Sequence, residues 1–132
     1  MTPTALVAAA RDCRTNAHVP YSKFRAGASV HTDRDEIVPG VIVENVSLGL
    51  AMCAERVALF STVALGARPL ALALVAPRTG KDLTWPCGAC LQVALELGGP
   101  DMPIYASSIR EDAPISESTV GELLPKGPFV HR

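Results

Sequence analysis

LALALVAP, residues 70–77, has no polar face. A strand with one wet side alternates apolar and polar residues, whereas a strand apolar on both sides is covered on both sides. The segment therefore reads as a central strand with helices above and below it. Working outward, SLGLAMCAERVALFSTVALGA (47–67) contains an apolar helix from about Cys53 to Leu65, ending at Gly66. It is apolar nearly all round, which predicts burial on most sides or packing against a second subunit. After PCGAC a further helix is expected at about 88–97, closed by Gly98-Gly99. PIYAS (103–107) reads as a short strand. SESTVGELLP (116–125) reads as the start of a last short helix capped by Ser116 or Ser118. Towards the N-terminus, 3–17 reads as an amphipathic helix. GASVHT (27–32) and IVPGVIVENV (37–46) read as a hairpin around Asp33–Asp35, with Pro39-Gly40 marking a bulge or an edge. Helices alternating with covered strands imply an α/β fold, a three-layer α/β/α sandwich around one sheet. The hairpin makes that sheet mixed.

The 132 residues fit one domain, 1–132, with no internal repeat or linker. Lys plus Arg total 12 against 13 Asp plus Glu, a net charge of −1, so no basic excess favours a nucleic-acid partner. Residues 1–10 carry no cationic, long apolar leader, and no membrane span is expected. The expected location is the cytoplasm. Four cysteines without an export signal read as thiols or metal ligands rather than disulfides. Cys13 has no ligand-type neighbours and reads as a small buried hydrophobe. His18, His31 and His131 read as surface or loop residues, none of them a metal ligand.

Cys87 and Cys90, in TWPCGAC (84–90), lie at the start of one predicted helix, and Cys53, in MCAER (52–56), at the start of another. A lone Cys-x-x-Cys fits a redox pair, half of a structural zinc site or part of an active site. Helix N-termini favour thiolate over thiol. Three thiolates from two such ends suit one Zn²⁺ in a tetrahedral site whose fourth position is open, the mark of a catalytic site. Glu55, two residues from Cys53, is poorly placed as a ligand. It can reach a water in the open position and move its protons. Three thiolates and Zn²⁺ sum to −1, and Arg56 can balance that charge.

Cys-Ala-Glu followed after a gap by Pro-Cys-x-x-Cys matches a zinc-deaminase signature in its cysteine-only form. VENVSLGLAMCAER (43–56) and PCGACLQV (86–93) resemble the small cytidine-deaminase-type nucleoside deaminases, with blasticidin S deaminase a near relative. The resemblance runs from about residue 20 to 125. It implies a five-stranded mixed sheet and zinc on Cys53, Cys87 and Cys90. Glu55 would be the proton shuttle. The Ala54 N–H would hold the pyrimidine carbonyl, Phe24 would pack on the base, and Glu44 would hold a sugar hydroxyl. It further implies a small-molecule nucleoside substrate, a role in pyrimidine salvage and a homotetramer whose sites borrow neighbouring residues.

The expected reaction is hydrolysis of a cytosine nucleoside, cytidine or 2′-deoxycytidine, to the uracil nucleoside and ammonia. A modified or sugar-altered cytosine nucleoside, as for blasticidin S, and a non-catalytic zinc-binding fold member are the alternatives. An intact Glu55 argues against the latter. Ile42 stands where the family commonly has Asn, Leu48 where it has Tyr, Trp85 where it has Ser and Leu91 where it has Arg. Pro128 stands where the family has its C-terminal aromatic, with Phe129 next.

Overall fold

A computed structural model describes residues 1–130. His131 lies outside the described residues. The elements are α1 (Pro3–Cys13), β1 (Gly27–Thr32), β2 (Ile37–Val41), α2 (Ala54–Ala64), β3 (Pro69–Val75), α3 (Gly88–Gly98), β4 (Pro103–Ser107), β5 (Ser116–Thr119) and α4 (Val120–Leu123), with single 3₁₀ turns at Arg14–Asn16 and Leu48–Leu50. The strands form one five-stranded sheet in the order β2-β1-β3-β4-β5. β3 and β4 are parallel, and the other neighbours are antiparallel. The mixed sheet and the central place of β3 match the expectation from LALALVAP.

The side-chain alternation of β3 explains why that segment lacks a polar face. Ala71, Ala73 and Val75 pack on one side against Leu6, Val7 and Ala10 of α1. Leu72 and Leu74 pack on the other side with Ala58 and Leu59 of α2 and Ala94 and Leu95 of α3. Each fully buried leucine contributes about 1.5–3 kcal/mol. Ser29, buried under α1, is satisfied: its Oγ donates to the Leu6 carbonyl at 2.6 Å.

Gly40 sets how closely α2 approaches the sheet. It lies on edge strand β2 opposite Ala28 of β1. A Cβ there would stand 2.5 Å from the Ala54 carbonyl oxygen and 2.9 Å from the Ala58 Cα. Only a residue without a side chain lets the first turn of α2 lie against β2. The far end of α2 stops as expected, at Gly66 with φ +74°.

Three expectations need correction. The segment from Ser116 does not open a helix. Ser116–Thr119 is edge strand β5, paired antiparallel with β4, and the cap of the four-residue α4 is Thr119, whose Oγ1 accepts from the Glu122 N–H at 3.1 Å. Ser-Glu-Ser-Thr has no apolar alternation to betray a strand, because an edge strand is held here by its backbone ladder. The second strand of the hairpin ends at Val41 and not Val46. Beyond it the chain stays extended through single bridges of Val43 to His18 and to Met52. Helix α2 is not buried on most sides, the first of the two alternatives; within the chain it buries one face. Ala54, Glu55, Ala58, Leu59 and Thr62 face inward, while Phe60 and Val63 are about half exposed, at 46% and 50%.

Candidate active site

Cys53 and Cys87 are the N-cap residues of α2 and α3, both with extended backbone and neither making a side-chain cap bond. Two helix starts thus converge on one place. The sulfurs of Cys53, Cys87 and Cys90 all lie within 4.8 Å of one another. Tetrahedral zinc with Zn–S of about 2.3 Å sets sulfurs roughly 3.8 Å apart, within reach of small side-chain adjustments in this trio. Cys87 Sγ is already 3.4 Å from Cys90 Sγ, and Arg56 Nη2 donates to Cys53 Sγ at 3.4 Å. Among the described residues Arg56 Nε is buried without a partner, so the guanidinium keeps donor capacity next to the sulfurs. No histidine joins the cluster among the described residues.

The electrostatics favour a thiolate even in the metal-free chain. The Cys90 thiol, hydrogen-bonded to Cys53, holds Cys53 below the usual thiol range, and Arg56 acts in the same direction. Cys90, bonded to that thiolate and buried, is pushed up. Arg56, bonded first to Cys53, is pushed up as well, so its positive charge is secure. Glu55 is buried, at 5% exposure. Burial pushes its carboxyl up to about 7, and the charge of Cys53 adds to that; its backbone N–H, Cys90 and Arg56 pull the other way. A carboxyl near neutrality can both take and return a proton.

Beside the sulfurs lies a cleft of about 180 Å³. Its floor is Ala26, Leu74 and Ala76 from the sheet and Ala54 and Glu55 from the start of α2; its rim is Phe24, Ile42, Thr84, Trp85 and Cys87. The volume falls below the ~300–1,000 Å³ of sites for larger ligands. It suits one flat ring.

The three cysteines, Ala54, Glu55 and Phe24 therefore meet at one site, with Arg56 behind Cys53. Glu44 does not line the cleft. Its Oε1 accepts the backbone N–H groups of Tyr21 and Ser22 at 3.1 and 3.2 Å. The Ser22 hydroxyl and these two N–H groups hold its carboxyl below the usual range. The residues that reading the sequence missed are Ala26, Leu74, Ala76 and Thr84. All lie at the ends of strands or in the loop before α3, where no motif marks them. The end of the very strand that organises the fold, LALALVAP, was the available signal. Cys13 is remote from the cluster, and its thiol donates to the Ala10 and Gly40 carbonyls, each at 3.4 Å. His31 Nε2 lies 2.9 Å from Asp35 in the hairpin turn. Phe129 packs against the α2–α3 side of the core, and Gln92 Nε2 donates to the neighbouring Pro128 carbonyl at 2.9 Å. No helix among the described residues is long and apolar enough to cross a membrane.

The family model described as cytidine and deoxycytidylate deaminase zinc-binding region matches residues 2–106. A cytidine deaminase of Sporosarcina psychrophila is 41% identical over 121 residues, which is 91% of this chain and 86% of the relative. A cytidine deaminase of Halalkalibacterium halodurans is 40% identical over 120 residues, 91% of this chain and 89% of the relative. The crystal structure of cytidine deaminase from Burkholderia pseudomallei superposes with a TM-score of 0.87 at 41% identity, covering 96% of this chain and 99% of that one.

Proposed function

The chain belongs to the cytidine and deoxycytidylate deaminase family, and on that premise we propose that it catalyses the hydrolytic deamination of a cytosine nucleoside, cytidine or 2′-deoxycytidine, to the uracil nucleoside and ammonia. We assign Cys53, Cys87 and Cys90 as the ligands of one zinc ion. When bound, zinc supplies a Lewis acid that lets water act as a nucleophile near neutral pH. The observation that carries the proposal is the meeting of three sulfurs from two helix starts beside a buried carboxyl, in a cleft sized for one ring.

The chain's own residues then have distinct tasks. Glu55 removes a proton from the attacking water and gives it to ring N3; it then takes the remaining proton of that oxygen, now bonded to C4, and delivers it to the amino group as the C4–N bond breaks and the C4 carbonyl forms. Its carboxyl near neutrality suits both directions of transfer. The Ala54 N–H is an unpaired donor of the first turn of α2 and would hold the ring carbonyl. Phe24 packs on the ring. Glu44, oriented by Tyr21 and Ser22, would accept from a sugar hydroxyl at the outer edge. Arg56 restrains the Cys53 sulfur and offsets the thiolate charge. Among the described residues no Lys or Arg lines the cleft, which favours a neutral nucleoside over a phosphorylated one.

The same reading makes the chain one deaminase domain, acting in cytoplasmic pyrimidine salvage. It also favours a homotetramer, supported by the exposed apolar residues Phe60 and Val63 on α2 and Val46, Leu48 and Leu50 in the loop before it. The test is ammonia release from cytidine and 2′-deoxycytidine by zinc-loaded protein. Turnover of either supports the reading, and release from neither overturns it.

A further inference from the structure

The floor and rim of the cleft differ in chemistry. Four rim residues are half-buried: Phe24, Ile42, Thr84 and Trp85. With only about 180 Å³ available, a pyrimidine whose reacting carbon reaches the cysteines fills the floor. The ring nitrogen that carries the sugar lies across the ring from that carbon. The sugar therefore leaves through the rim, past these four side chains.

Their hydrogen-bonding capacity is small. Phe24 and Ile42 have none. Thr84 Oγ1 donates its single proton to the Pro77 carbonyl at 2.7 Å. Its contact with Thr79 Oγ1 at 2.7 Å must then be one in which Thr79 donates. One lone pair of Thr84 remains, able to accept and not to donate. Trp85 has an indole N–H and no acceptor. A ribosyl group brings three hydroxyls, each of which both donates and accepts, to a rim whose side chains offer one acceptor and one donor, with the Glu44 carboxylate outside the rim accepting from at most one of them.

We propose that Ile42 and Trp85 are specificity-determining residues that hold the sugar chiefly by apolar contact, so that cytosine nucleosides with hydroxyl-poor sugars are processed nearly as well as cytidine. This rests on the cytosine-nucleoside reading above. Ile42 dries the wall on which a hydroxyl would otherwise find a partner, and the Trp85 ring supplies area that is indifferent to hydroxyl count.

The experiment measures kcat/KM of the zinc-loaded enzyme for cytidine, 2′-deoxycytidine and 2′,3′-dideoxycytidine. Calorimetric dissociation constants of the products, uridine and 2′,3′-dideoxyuridine, accompany it. The expected preference for cytidine over the dideoxynucleoside is below about tenfold in both readouts, less than two fully used hydroxyl contacts would give. A preference of tenfold or more places the hydroxyl partners elsewhere, on a loop or a neighbouring copy, and overturns the proposal. Ile42→Asn adds a donor and an acceptor to the wall and is expected to raise the preference threefold or more. Should that variant fail to fold, Ile42→Thr reads the same ratio. An unmoved ratio in a folded variant reduces Ile42 to packing and overturns its role. Ammonia release from no nucleoside of the panel would sink the reaction itself, a result distinct from a steep preference.

Discussion

The two helix starts that bring the cysteines together are built differently. Both begin on a cysteine N-cap with extended backbone. The start of α2 is sealed: Ala54 is fully buried, Glu55 nearly so, and Gly40 lets the backbone of Ala54 and Ala58 lie hard against β2. The start of α3 is open: Cys87, Gly88 and Ala89 are exposed, and only Cys90 turns inward. The sealed start carries the carboxyl proposed to move protons and the guanidinium that donates to Cys53. The open start brings two sulfurs and leaves the approach to the site free. Burial shifts the Glu55 carboxyl because the α2 start excludes water.

The largest effect is expected at the sealed start. Glu55→Gln keeps the shape and removes the proton shuttle, so turnover should fall roughly 10²–10⁴-fold in steady-state ammonia release. Turnover within about tenfold of the parent would remove Glu55 from the chemistry. Arg56→Gln comes next. Withdrawing the guanidinium from Cys53 should weaken zinc binding about 10–100-fold, read by competition with a chromophoric chelator. Unchanged affinity would mean that Arg56 only fills space.

Paired glycine variants test the sealed-versus-open contrast directly. Gly40→Ala drives a methyl into the backbone of α2 and should cost about 1–3 kcal/mol in urea unfolding. Gly88→Ala at the open start meets nothing within 4 Å. It should change stability by no more than about 0.5 kcal/mol. Equal costs at the two positions would erase the contrast. The smallest effect on the folded chain is expected from Phe60→Glu, a surface change on one protomer worth within about 0.5 kcal/mol. Its readout is assembly: light scattering should move from an oligomer towards the 13.9 kDa chain. A parent protein already at that mass would remove the proposed tetramer.

What could be read from the sequence followed periodicity and motif. LALALVAP identified the central strand because an eight-residue apolar run has few other homes in a chain of this size. MCAER and PCGAC put the cysteines and Glu55 forward as candidates because residue types at helix starts carry chemistry by themselves, and the structure brings those residues to one place. β5 escaped notice because an edge strand of Ser, Glu and Thr is specified by its partner's backbone and not by its own side chains. The cleft floor escaped because Ala26, Leu74 and Ala76 are ordinary core residues until the strand order places their ends beside α2. Glu44 illustrates the opposite limit. Its place near the site follows from extended backbone after Ile42, but its engagement with Tyr21 and Ser22 depends on a loop fold that no periodicity encodes.

The claim that the two helix starts converge on one metal is tested most directly by counting zinc. Purified parent protein and the Cys87→Ala, Cys90→Ala double variant should be compared by elemental analysis, with circular dichroism confirming that both are folded. The account predicts about one zinc per chain in the parent and near none in the variant, since a single remaining thiolate cannot hold the ion. A folded double variant that keeps its full zinc would contradict it.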